Sequence, residues 1–160
     1  MEEDIYKILD ELNITYNLIK HNAVYTVEEA EKELPNLSGN HCKNLFLRNK
    51  KGNKYYLVIC DANTKVDLKE LTKKLNEDRL GFASEERLEK VLKVKSGSVS
   101  PFNLINDEGR EVNVIIDVTL KDKKIVNFHP NINTRTVQIS YNDLKKFINN
   151  CGNYNIEMNL

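Results

Sequence analysis

The chain of 160 residues carries 40% hydrophobic and 30% charged side chains with only 6 Gly and 3 Pro, enough for one domain with a core, which excludes a disordered tail or a collagen-like chain. Its 24 basic and 24 acidic residues cancel, which argues against a broad basic face for long nucleic acid and confines any such contact to a local patch. Three cysteines, Cys42, Cys60 and Cys151, are odd in number and lack C-x-x-C spacing, which argues against a disulfide framework or a zinc ribbon and suits a reducing cytoplasm.

Ile5, Ile8, Leu9 and Leu12 stand at i, i+3, i+4 and i+7 and predict an amphipathic first helix. Residues 16–20 read as a short strand. Thr26-Val27-Glu28-Glu29 is a capping box, so a second helix starts there and stops before Pro35. Residues 44–48 and 54–60 read as strands joined by a Gly-containing loop, a hairpin. Asp67 caps a helix carrying Leu68, Leu71 and Leu75, and Ser84 caps another carrying Leu88, Val91 and Leu92. Residues 102–106 and 111–117 flank Asp107-Glu108-Gly109-Arg110 and read as a second hairpin. Residues 125–128 and 136–139 are later strands. Ser140 opens a final helix with Leu144, Phe147, Ile148 and Cys151 inward, closed by Gly152 at C′. The domain is expected over residues 1–152, with the Asn-rich residues 153–160 frayed.

Helices interrupt hairpins without regular βαβ alternation, which favours a single α/β domain around a mixed, strongly curved sheet. No glycine-rich phosphate loop occurs. No apolar run approaches the roughly 20 residues that span a bilayer, and the acidic opening Met1-Glu2-Glu3-Asp4 is unlike a signal peptide, so a cytoplasmic protein without a membrane partner is expected.

Three segments are unusual for plain scaffold. In His41-Cys42-Lys43-Asn44-Leu45-Phe46-Leu47 polar groups run straight into a buried-looking strand. Lys43 reads either as a solvated strand-end lysine or as a fixed cation at a cleft mouth, a clamp for phosphate or carbonyl, with the Asn44 amide positioning a water or hydroxyl. Lys95-Ser96-Gly97-Ser98-Val99-Ser100-Pro101-Phe102 reads either as a connector or as a turn in which Gly97 lets main-chain N–H groups approach an oxyanion. In Phe128-His129-Pro130-Asn131-Ile132-Asn133-Thr134-Arg135-Thr136 a histidine held extended by Pro130 precedes a run of hydrogen-bonding side chains; a structural histidine is the plain alternative. His21, His41 and His129 lack metal-ligand spacing, so no metal is expected.

The strings HCKNLFL, GFAS, GSVSPFNLIND and NFHPNINT, in that order over nearly the whole chain, resemble the YbaK/prolyl-tRNA-synthetase-associated editing domain family. The resemblance is closest to its freestanding alanyl-tRNA(Pro) deacylases, of the ProXp-ala or PrdX type. It implies a barrel-like mixed sheet with flanking helices and cofactor-free hydrolysis of the ester joining a mischarged amino acid to the terminal adenosine of proline tRNA. It further implies a catalytic set of Lys43, Asn44, Gly97, Ser98 and His129, with Val99, Ser100, Pro101, Phe46, Asn133 and Thr134 around the aminoacyl group.

Arg48, Lys50 and Lys51 are expected to meet the tRNA acceptor end, with a transient contact to prolyl-tRNA synthetase and no DNA partner. The logic is double-sieve editing: a synthetase pocket built for proline rejects the smaller alanine by only about 1–3 kcal/mol, and a second pocket too small for proline supplies the remainder. Two other readings stand beside it. One is a cysteinyl-tRNA(Pro) deacylase of the same family; the other is a non-catalytic module that binds tRNA ends or amino acids.

Overall fold

The computed structural model describes residues 2–23, 40–132 and 134–160. The expected helix after Thr26 and the candidate Asn133 lie outside the described residues. In chain order the elements are α1 (Glu2–Glu11), β1 (Asn17–Lys20), β2 (Asn40–Asn49), β3 (Tyr55–Asp61), α2 (Leu68–Lys74), β4 (Leu80–Phe82), α3 (Glu85–Leu92), a 3₁₀ helix (Pro101–Asn106), β5 (Val112–Asp117), a second 3₁₀ helix (Val118–Lys123), β6 (Ile125–Phe128), β7 (Arg135–Ser140), α4 (Tyr141–Cys151) and β8 (Asn155–Met158).

The strands form one mixed sheet of eight in the order β1-β7-β6-β2-β3-β5-β8, with β4 also paired to β2. The β2–β6, β3–β5 and β5–β8 pairs are parallel and the rest antiparallel. The central strand β3, Tyr55-Tyr56-Leu57-Val58-Ile59-Cys60-Asp61, is buried through its first six residues. Its side chains alternate between faces as a strand requires. Tyr55, Leu57 and Ile59 enter a large core with Ile5, Leu9, Phe102 and Phe147; Tyr56 and Val58 enter a smaller one with Leu47, Leu71 and Leu80. Helices therefore flank both faces of a single α/β domain.

Three helix starts follow from local chemistry. Asp67 accepts the N–H groups of Lys69 and Glu70, Ser84 that of Arg87, and Ser140 that of Asp143. Gly152 closes α4 at φ 82°, left-handed backbone that a glycine takes without strain.

Two expectations are corrected. Residues 102–106 are not a strand: Pro101 has no N–H for a ladder, and Ser100 and Asn103 form a capping box that winds the segment into a 3₁₀ helix. Residues 153–160 do not fray. Buried Asn153 donates to Asp107 Oδ2 (2.8 Å) and to the Val112 carbonyl (2.9 Å), β8 pairs with β5, and Glu157 bridges Lys121 and Lys145. These are all long-range contacts, invisible to a local reading of a strand of only four residues.

Candidate functional site

Strand β2 changes partner half-way along. On one edge it pairs with β3 from Cys42 to Arg48. On the other it meets β6 at Asn40 and His41, then β4 from Leu47 to Asn49. Between those two partners Cys42, Lys43, Asn44 and Leu45 border a gap in the sheet. A cavity of about 310 Å³ occupies that place, walled by residues 41–46, by Phe82, Ala83 and Leu88, by Ser96, Gly97 and Val99, and by Asn127, Phe128, His129 and Thr136. All three unusual sequence segments therefore converge on one site.

Lys43 is half-buried beside Cys60, its cross-strand partner. Burial pushes the Cys60 thiol up to about 11 while the Lys43 charge pulls it down. Burial likewise holds Cys42 well above the usual thiol range, so at neutral pH the cavity's cysteine is a thiol, not a thiolate nucleophile. Asn44 Oδ1 is buried and accepts no hydrogen bond among the described residues. Such a carbonyl costs about 1–3 kcal/mol until a donor reaches it.

His129 is held by a hydrogen bond from Nδ1 to the Arg135 carbonyl at 2.9 Å. Burial lowers its pKa, the charges of His21 and His41 lower it further, and the Arg135 bond partly opposes them. The ring is thus neutral, with its proton on Nδ1, which makes Nε2 an acceptor. Its ring centroid lies 5.9 Å from that of His21, which bonds Thr136 Oγ1 at 2.8 Å and the Asn22 carbonyl at 2.7 Å.

The glycine loop is built as a turn. Ser98 N donates to the Lys95 carbonyl at 3.1 Å, and Gly97 at the third position has φ 89°, which a side chain would strain. Glu85, at the start of α3, clasps the loop by accepting from Ser96 N (2.9 Å) and Ser96 Oγ. Asn103 holds it from below, accepting Ser100 N at 2.7 Å and donating to the Ser98 carbonyl at 3.2 Å and to Asn131 Oδ1.

Of the residues singled out from sequence, Lys43, Asn44, Phe46, Gly97, Val99 and His129 line the cavity. Ser98 borders a separate hollow beside Glu89 and Lys95. Ser100 and Pro101 are buried below the loop, where Ser100 caps the 3₁₀ helix. Thr134 contributes its carbonyl to His21 N at 2.9 Å and is not in the cavity wall. Arg48 and Lys50 line a shallow hollow next to the cavity, and Lys51 sits exposed on the hairpin turn. His41, Cys42, Leu45, Phe82, Ala83, Leu88, Ser96, Asn127, Phe128 and Thr136 complete the wall and are not among the site residues expected from sequence; the tertiary fold brings them there. Among the described residues no group of three or more His, Cys, Asp or Glu is arranged to hold a metal ion, and no helix is long and apolar enough to cross a membrane.

The model of the aminoacyl-tRNA editing domain matches residues 21–147. The chain belongs to the aminoacyl-tRNA editing domain family. It is thus a member of a family of aminoacyl-tRNA deacylases. It is 49% identical over 146 residues to the prolyl-tRNA editing protein ProX of Acetoanaerobium sticklandii, covering 91% of this chain and 88% of that one. It is 34% identical to the prolyl-tRNA synthetase associated domain-containing protein 1 of Bos taurus over 152 residues, 92% of this chain and 88% of that one. The fold of this editing domain also matches the crystal structure of a candidate trans-editing enzyme for prolyl-tRNA synthetase, with a TM-score of 0.75 at 16% identity over 99% of this chain and 96% of that one. A second solved structure, hypothetical protein APE2540, has a TM-score of 0.76 at 14% identity, covering 96% and 97% of the two chains.

Proposed function

We propose that the chain hydrolyses the aminoacyl ester of alanyl-tRNA(Pro) and spares prolyl-tRNA(Pro). The observation that carries this reading is the single cavity in which the gap in β2, the Gly97 turn and His129 meet. At about 310 Å³ it sits at the small end of ligand pockets and suits a small aminoacyl group on its ribose. The names of the similar proteins, a prolyl-tRNA editing protein and prolyl-tRNA synthetase associated proteins, support proline tRNA as the substrate.

Each residue then has a physical role. The α-ammonium of the substrate brings donors to Asn44 Oδ1, the one buried cavity acceptor that the described protein leaves unsatisfied. Lys43 holds the terminal phosphate-ribose as a point charge. The loop's N–H groups stabilise the oxyanion of the tetrahedral intermediate. Ser98 N and Ser100 N are already donated within the protein, which narrows the donors to Gly97 and Val99. His129 Nε2 accepts a proton or a hydrogen bond from the attacking water, with a ribose hydroxyl of the substrate assisting the transfer. Apolar walls from Phe46, Leu88 and Phe128 admit a methyl group and obstruct a pyrrolidine ring.

The test is deacylation of alanyl-, cysteinyl- and prolyl-tRNA(Pro) by the purified protein. Rapid loss of the alanyl ester alone is expected. Loss of the cysteinyl ester alone transfers the assignment to cysteine, and binding without turnover of any ester refutes hydrolysis.

A further inference from the structure

The cavity has a neighbour that the proposed chemistry does not use. On the other side of Phe82 lies a shallower hollow of about 240 Å³, lined by Arg48, Asn49, Lys50, Arg79, Gly81 and Phe82. No carboxylate lines it. Phe82 borders both hollows, and its side chain is 64% exposed, unusual for a phenylalanine in a sheet whose neighbouring Leu47 and Leu80 are buried. In the β2–β4 register Leu47 stands opposite Phe82 and Arg48 opposite Gly81, so the ring leaves on the Leu47 face and the Arg48 side chain on the other, and the hollow at the strand end is bordered by both. At Gly81, on the Arg48 face of the strand, nothing lies within 4 Å of where a Cβ would stand, so the surface beside the cations is open.

The nearby acids are engaged elsewhere. Asp78 accepts the main-chain N–H groups of Lys50 (3.0 Å) and Arg79 (2.6 Å), and Glu77 accepts Tyr56 Oη at 2.5 Å and lies 3.9 Å from Lys54 Nζ. Arg48, Lys50 and Arg79 enter none of the ion pairs among the described residues. An exposed aromatic face beside unpaired cations, adjoining the cavity, is the arrangement that recognises single-stranded nucleic acid: bases stack and phosphates meet the charges.

We propose that Phe82 is a stacking platform for an unpaired base of the tRNA acceptor end, and that Arg48, Lys50 and Arg79 hold the phosphates that follow it. The inference rests on reading the cavity as the aminoacyl pocket. Phe82 is the wall that the cavity and the cationic hollow share, so a strand that enters the cavity ester-first and leaves toward the cations passes over its ring. Stacking does not depend on base identity, so this contact grips any acceptor end, and amino acid selection stays inside the cavity.

The experiment compares Phe82→Ala, Phe82→Trp and Arg79→Gln with the unaltered protein on alanyl-tRNA(Pro), intact and with an abasic nucleotide in place of the penultimate base. Phe82→Ala is expected to raise KM about 10-fold with kcat unchanged, since a stacked base contributes on that order, and Phe82→Trp to restore it. The abasic substrate should cost the unaltered protein a similar factor and Phe82→Ala nothing further. Arg79→Gln should flatten the dependence of log KM on log salt by about 0.7, one single-strand phosphate contact, whereas Phe82→Ala leaves that slope alone. Equal KM for Phe82→Ala and the unaltered protein overturns the platform and leaves the deacylase reading standing.

If no aminoacyl-tRNA is cleaved, the functional reading fails on its own. The platform is then tested by titrating a short single-stranded RNA ending in CCA against the Phe82 ring resonances. Ring shifts, with about 10-fold weaker binding in Phe82→Ala, support it, and unshifted ring signals overturn it.

Discussion

Asn103 is the residue on which the glycine loop rests, and its removal offers the sharpest test of the site's construction. Its side chain is fully buried and makes three hydrogen bonds, accepting Ser100 N and donating to the Ser98 carbonyl and to Asn131 Oδ1. In Asn103→Ala the Ser100 N–H, on a residue that is itself fully buried, loses its acceptor at a cost of about 1–3 kcal/mol. The two donated bonds add about 0.5–1.5 kcal/mol each where water cannot replace them. A total near 4 kcal/mol corresponds to a fall in Tm of about 8–16 °C for a chain of this size.

The same change releases the turn that presents Gly97 and uncouples it from the loop after His129, so kcat should fall more than KM rises. Asn103→Asp separates the two effects. It keeps an acceptor for Ser100 N but sets a carboxylate against the Ser98 and Asn131 oxygens, so it should fail to rescue activity. Thermal unfolding and single-turnover deacylation check both parts. A change in Tm below about 2 °C with kcat intact would refute the claim that Asn103 supports the loop.

Lys43→Ala should reduce kcat/KM at least about 100-fold, the effect of losing a positioned charge at the reacting end, and shift Tm little because the ammonium is not part of the core. Near-normal turnover would remove Lys43 from the mechanism. For His129, whose folded pKa lies below the usual 6.5, the unfolded chain takes up the proton first on acidification. Stability should therefore rise with pH between the folded value and about 6.5 and level off above it, and His129→Gln should flatten that segment in urea titrations from pH 5 to 8. Activity should fall on the same acid side, and an inflection above pH 7 would contradict a neutral, buried ring. Truncation after Gly152 removes the two Asn153 bonds, β8 and the Glu157 bridges, and should cost about 3 kcal/mol or more, read as a Tm drop of at least about 6 °C. An unchanged Tm would mean that β8 adds nothing to the sheet.

What was legible in the sequence was local. A cap forms within four residues, so Asp67, Ser84, Ser140 and Gly152 could be recognised from their neighbours, and the hairpin of β2 and β3 announced itself by its Gly-containing turn between two apolar runs. The mistaken strand at residues 102–106 had the right apolar content, but Pro101 and the Ser100–Asn103 box decided the backbone. The C-terminal segment is held from other parts of the chain, Asn153 by Asp107 and Val112 and strand β8 by β5, Lys121 and Lys145, so its four residues do not announce a paired strand by themselves. The same divide runs through the site. Lys43, Asn44, Gly97 and His129 stand out locally in three polar segments, each with a plain alternative, and the four strings that resemble a family assign them a catalytic role. Ala83, Leu88 and Thr136 are ordinary residues by type, and only the gap between β4 and β6 gives them a cavity to face.

That gap makes the chamber adjustable without touching its frame. Strand β2 stays zipped to β3 along one side, whereas the aperture on the other is bounded merely by where two short strands happen to stop. Trimming or extending either by a residue would resize the opening while the Lys43–Cys60 rung and the core beneath remain as they are, so descendants of one scaffold can be tuned to different acyl groups by edits at its margins.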